Sequence, residues 1–215
     1  MRLATTGSLF GNEPKPSGKL HSVFEARPVA DGGNQRTFAS GLRNPIGMNF
    51  DPRSGRLWTV VQERDGMGDE LVPDFFTSVD EGDFFGWPYA YTGGFPQPGL
   101  ADQAPAGLVA RSKLPEVLFE AHSSSMDFVF VPDSWPERFR GGAIATLKGS
   151  WNRADPGGYK LVFIPFENGV PLGSYENFVN NFWVTGTDTA GVWGRPANLE
   201  LLEDGSLLIA DDTGG

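Results

Sequence analysis

The chain has no cysteine and only two histidines, His21 and His122. The first absence removes disulfides, thiol nucleophiles and cysteine-based zinc sites together, and the second rules out a three-histidine metal centre within these residues. No apolar run approaches the roughly 20 residues that a membrane-spanning helix needs. Met1-Arg2-Leu3 is followed by polar Thr5, Thr6 and Ser8 rather than a signal-like apolar segment, so no membrane insertion is expected. Positive charge is scarce: 17 Lys and Arg against 27 Asp and Glu leave a net charge of −10. That balance repels a phosphate backbone, so nucleic acid is not an expected partner, whereas cations are favoured. A solubilising surface is the plain reading of the same acidity.

The chain is rich instead in turn formers, with 29 Gly and 17 Pro clustered between short apolar runs, as turns between many strands require. Three segments share one pattern of alternating strand, turn and second, more apolar strand. They are Ile46–Phe50 with Leu57–Val61, Met126–Val131 with Ala143–Leu147, and Asn198–Leu202 with Leu207–Ala210. Apolar alternation answered across a Gly-containing turn is an antiparallel hairpin, and related hairpins in series predict radially repeated sheets, an all-β propeller. Tyr159–Phe166, turning at Glu167-Asn168-Gly169, supplies another strand to the second unit, and Leu20–Phe24 reads as an outer strand of a preceding one.

The expected layout is one partial propeller domain over 1–215. It has an outer strand and loop at 1–37, a first blade at 38–87, a Gly/Pro-rich excursion at 88–120, a second blade at 121–184 and the start of a third at 185–215. Propellers close with four to eight blades, so these two to three are expected to be part of a larger ring. Open sheet edges would make self-association an expected partner.

In such sheets the residues before each first strand and after each second strand share one end. Arg43-Asn44, His122 and Arg195 precede first strands, while Arg64-Asp65, Lys148-Gly149-Ser150-Trp151 and Asp211-Asp212 follow second strands. Cations meeting on one rim of an acidic protein imply an anionic guest. The alternative is that each is paired with a nearby Asp or Glu. Glu63-Arg64-Asp65-Gly66-Met67-Gly68-Asp69-Glu70 has the oxygen density and flexibility that calcium prefers, although its spacing is not that of an EF-hand.

Several motifs in order resemble the glucose/sorbosone dehydrogenase family, especially its L-sorbosone dehydrogenase-like branch. They are Gly41-Leu42-Arg43-Asn44-Pro45-Ile46-Gly47, Gly68-Asp69-Glu70-Leu71, Phe85-Gly86-Trp87-Pro88, Gly149-Ser150-Trp151-Asn152-Arg153, Gly194-Arg195-Pro196 and Leu208-Ile209-Ala210-Asp211-Asp212. The resemblance runs from about Phe38 onward and matches the C-terminal portion of such proteins. It implies a six-bladed β-propeller that binds pyrroloquinoline quinone (PQQ) beside Ca2+ and oxidises a sugar or polyol, passing electrons to an external acceptor. It also implies a periplasmic or secreted location.

Carried over by position, Arg43, Asn44, Lys148 and Arg195 are cofactor-binding candidates, and His122 with Trp151 are substrate contacts. The main chain of Arg64 and Asp65 matches the ligands of the cofactor-bound calcium, and Asp69 with Glu70 matches a second calcium position. No catalytic residue is assigned in this chain, because the family's general-base histidine belongs to the N-terminal half. A calcium-dependent lactonase-like propeller and a non-catalytic, self-assembling fragment are the competing expectations.

Overall fold

The computed structural model describes residues 2–5, 22–26 and 36–213, with side chains from 36 onward, and the chain divides into two compact units. Among the described residues no helix is long and apolar enough to cross a membrane.

The first unit comprises 1–45 and 79–115. Strands Arg2–Thr5, Ser22–Ala26 and Arg36–Ser40 form a three-stranded antiparallel sheet. The expected outer strand at Leu20–Phe24 begins at Ser22; residues 20 and 21 lie outside the described residues. Leu42, Phe84, Phe85 and Ala90 are buried there. Gly41 is required by close approach: it has φ +78°, and a Cβ would lie 2.6 Å from the Phe84 ring. Backbone bonds from Phe85 to Ser40 and from Trp87 to Gly41, at 3.0 and 2.9 Å, tie the Phe85-Gly86-Trp87 motif to this turn.

The second unit comprises 46–78 and 116–215 and holds the three expected hairpins. Strands Asn44–Phe50, Leu57–Gln62, Pro73–Val79 and Val117–Ala121 make one four-stranded sheet in that order, with its first two residues and Val79 counted in the first unit. Ser125–Phe130, Ala143–Leu147, Lys160–Ile164 and Glu176–Val179 make another, and Pro196–Leu201 pairs with Leu207–Asp211 in a two-stranded hairpin. The Gly/Pro-rich excursion yields to a strand at Val117, because Val117, Phe119 and Ala121 alternate into the core.

Period-two alternation explains the stacking. Phe128, Ala143, Ala145, Leu147, Val162 and Ile164 project from the middle sheet into a core with Trp58, Val60, Phe76, Val117 and Phe119. The intervening Val129, Ile144, Leu161 and Phe163 project the other way, against Leu199 and Phe182. All five residues of Ala143–Leu147 are buried, as expected for a sheet covered on both faces. Phe76 centres the aromatic packing, stacked on Trp58 at 4.8 Å and edge-on to Phe128 at 4.9 Å.

Phe128→Ala is expected to cost about 3–5 kcal/mol, the range for emptying a fully buried aromatic site. Urea unfolding should show a lower midpoint with an unchanged slope; a loss under about 1 kcal/mol would contradict the two-sided core.

Candidate functional site

The strand ends of the second unit bring loops 63–70, 121–125, 148–159 and 188–195 into one polar array. Its foundation is Asp74, an acid within the otherwise uncharged strand Pro73–Val79 and 2 % exposed. Its carboxylate accepts hydrogen bonds from Glu63 N (2.9 Å), Ser125 N (3.1 Å) and Ser123 Oγ (3.3 Å). It thus joins the root of the acidic loop to the turn at 122–125, where His122 and Ser124 adopt φ of +62° and +58°. Burial outweighs those hydrogen bonds and pushes the Asp74 carboxyl up to about 6.

The acidic loop is laced to its neighbours. His122, its side chain only 3 % exposed, donates from Nε2 to Gly68 O at 2.9 Å and sets Nδ1 3.2 Å from Asp65 Oδ1. Asn152 Nδ2 donates to the same Asp65 oxygen at 2.7 Å and lies 3.2 Å from His122 Nδ1. Ala154 N donates to Asp69 Oδ2 at 3.0 Å, and Arg153 Nη2 donates to Glu70 Oε1 at 2.8 Å. His122 therefore braces the loop. Among the described residues no group of three or more acidic or histidine side chains is placed to hold a metal ion. Calcium would instead use mixed oxygens, and the loop carries such oxygens: the Asp65 side chain is 42 % exposed, and Arg64 O accepts a 3.5 Å bond from Val72 N.

Lys148 and Arg195 do converge. Arg195 Nη2 donates to Gly149 O at 2.8 Å and Nε to Lys148 O at 3.4 Å, with its guanidinium 5.7 Å over the Tyr159 ring. Lys148 Nζ is paired with Asp212, holding that carboxyl below the usual carboxylate range. For Lys148 the pairing alternative is therefore realised. Gly149 has φ +106°, and any Cβ would fall 2.2 Å from Tyr159, so only glycine lets that ring close against the strand end. A cavity of about 310 Å³ opens alongside, lined by residues that include Trp151, Tyr159, Asp188 and Arg195. Trp151, 80 % exposed, forms part of its wall.

Arg43 and Asn44 belong to the first unit, where the Arg43 guanidinium lies 5.8 Å over the Trp87 ring. Sequence reasoning missed Asp74, although an acid directly before Phe75 and Phe76 was a visible signal. It quoted Asn152 and Arg153 only as part of a motif, because their acidic partners, Asp65 and Glu70, lie more than 80 residues away.

An all-β sheet array with a polar loop face defines the class. Residues 107–215, just over half of the chain, match the TrAA12-like family model, and residues 18–107 match that of glucose/sorbosone dehydrogenase. The chain belongs to the TrAA12-like family and shares its first half with the glucose/sorbosone dehydrogenases. It is 28 % identical over 181 residues to an uncharacterized protein of Borreliella burgdorferi, covering 82 % of this chain and 46 % of that one. The chain thus spans about half the length of the curated relative it matches. The calcium structure of a Trichoderma reesei carbohydrate-active enzyme of family AA12 superposes with a TM-score of 0.68 at 19 % identity, over 98 % of this chain and 62 % of that one. The holo PQQ domain of Coprinopsis cinerea pyranose dehydrogenase gives 0.64 at 20 % identity, over 91 % and 59 %.

The raised Asp74 carboxyl has a defined sign. Folded protein holds this proton more tightly than unfolded chain, so the stability it contributes is full below about 3.8 and is lost as pH rises through about 6. The swing is on the order of 3 kcal/mol. The stability advantage of wild type over Asp74→Asn should therefore shrink between about pH 4 and 7 in urea titrations; a pH-independent difference would contradict this assignment.

Proposed function

We propose that the chain is the C-terminal portion, two to three blades, of a six-bladed β-propeller sugar dehydrogenase that uses PQQ and calcium. The observation that carries this reading is that the charges of Lys148 and Arg195 both act on Asp212, with Arg195 lining the cavity that Trp151 and Tyr159 also line. PQQ is a planar tricarboxylate: the two cations suit its carboxylates and the aromatic walls suit its ring. When bound, PQQ would supply a two-electron acceptor for the hydride of the carbon that bears the sugar hydroxyl, and calcium would supply Lewis-acid polarisation.

The protein groups have separate tasks. Lys148 and Arg195 orient the anionic cofactor, with Asp212 and the carbonyls of Lys148 and Gly149 holding them in place. Arg64 and Asp65 offer oxygens to one calcium ion. Trp151 presents an exposed aromatic face of the kind that packs on a sugar ring. His122 acts through Asp65 and Gly68, keeping the calcium loop in shape. Arg43 and Asn44, in the first unit, are cofactor-binding candidates by their motif. The proton from the sugar hydroxyl is taken by a base outside these residues, and the electrons pass to an external acceptor. A periplasmic or secreted location accords with this family reading.

Titration of PQQ with calcium should shift the cofactor's absorption spectrum, and sugar-dependent dye reduction then reads turnover. Lys148→Ala, Arg195→Ala and Arg43→Ala should each weaken uptake by roughly 10- to 100-fold, the loss of one charge-assisted contact. Uptake that is absent, or unchanged in both Lys148→Ala and Arg195→Ala, would end the proposal.

A further inference from the structure

We propose that the Arg153 guanidinium is a built-in replacement for the second calcium ion, so that the acidic loop binds one metal cation fewer than its motif implies. Asp69 and Glu70, the residues matched to that second position, both face the 153–154 segment. Arg153 Nη1 donates to Asp69 O at 2.7 Å and to Ala121 O at 3.1 Å. Its Nε donates to Asp155 O at 3.1 Å, and its Nη2 donates to Glu70 Oε1 at 2.8 Å. Three main-chain carbonyls and one carboxylate oxygen thus surround a single positive charge. This is the donor chemistry calcium selects, satisfied by an organic cation.

The Arg153 side chain is 11 % exposed and Glu70 83 %, so the guanidinium is held chiefly among the main-chain carbonyls, with the carboxylate end of the pair open to solvent. A guanidinium stays protonated at any physiological pH and cannot be chelated or exchanged. The tie from Glu70 and Asp69 to Ala121 therefore persists when calcium is scarce. A metal ion seated on the same carbonyls and the Glu70 carboxylate would have to displace the guanidinium or stand against its charge. The only exchangeable cation of the loop is then the one assigned to Arg64 and Asp65. The inference rests on that reading only for the absolute count of ions.

The test counts calcium ions bound per chain by equilibrium dialysis, comparing wild type with Arg153→Ala and with Arg153→Ala/Glu70→Gln. Arg153→Ala should bind one ion more than wild type, and its thermal midpoint should rise on adding calcium by more than that of wild type. The double variant should lose the extra ion. A step from one ion to two supports both readings, whereas a step from none to one supports this inference and removes the Arg64–Asp65 site. Equal counts in wild type and a folded Arg153→Ala protein overturn the proposal, as does a second ion in wild type that Glu70→Gln abolishes. If Arg153→Ala unfolds in chelator, refolding on addition of millimolar calcium supports it and failure to refold overturns it.

Discussion

The two-sided burial of one strand, Ala143–Leu147, is the constraint on which the second unit depends. Its odd-numbered residues pack with Trp58 and Phe76, and Ile144 packs with Leu199 on the other side, so a slip of one residue would exchange the two cores. Thr146 makes such a slip costlier still, since its hydroxyl donates to Ala197 O at 2.6 Å and ties the strand to the next hairpin. With register held in this way, the strand must end at Leu147, and the loop that follows must begin beside Ser123 and Ser124, whose carbonyls accept from Gly149 and Lys148. The position of the polar loops is therefore a consequence of apolar packing several residues away.

On that frame the charged groups are arranged to neutralise one another locally before any ligand is considered. Asp74 gathers backbone donors from two loops, Arg153 gathers carbonyls from three segments, and Arg195 and Lys148 are set against carbonyls and Asp212. Such prior organisation is what a site for an anionic cofactor needs, because side chains already ordered lose less freedom on binding. It also explains why His122 is occupied with Asp65 and Gly68: in a loop with two glycines at φ +82° and +89°, the imidazole supplies the rigidity that the glycines remove.

Much of the fold was legible from period-two alternation. The three hairpins lie where Ile46–Phe50, Met126–Val131 and Asn198–Leu202 suggested, because strands half or wholly buried leave that signature in their apolar residues. Val117–Ala121 was obscured by the Gly- and Pro-rich residues before it, and Asp74 by the ordinary habit of reading an acid as exposed. The convergence of Lys148 with Arg195 followed from strand direction alone, but their hydrogen-bond partners did not.

By itself the sequence determined the all-β class, the absence of thiol chemistry, the hairpin positions and the end of each hairpin at which polar residues gather. These depend on composition and short-range periodicity, which any window of the chain displays. Only the tertiary structure decided that Arg153 faces Glu70 and the Asp69 carbonyl, that Asp74 is buried beneath the loops and that Lys148 pairs with Asp212. Each of those pairings joins segments separated by dozens of residues, and their partners are selected by packing geometry that no local pattern encodes.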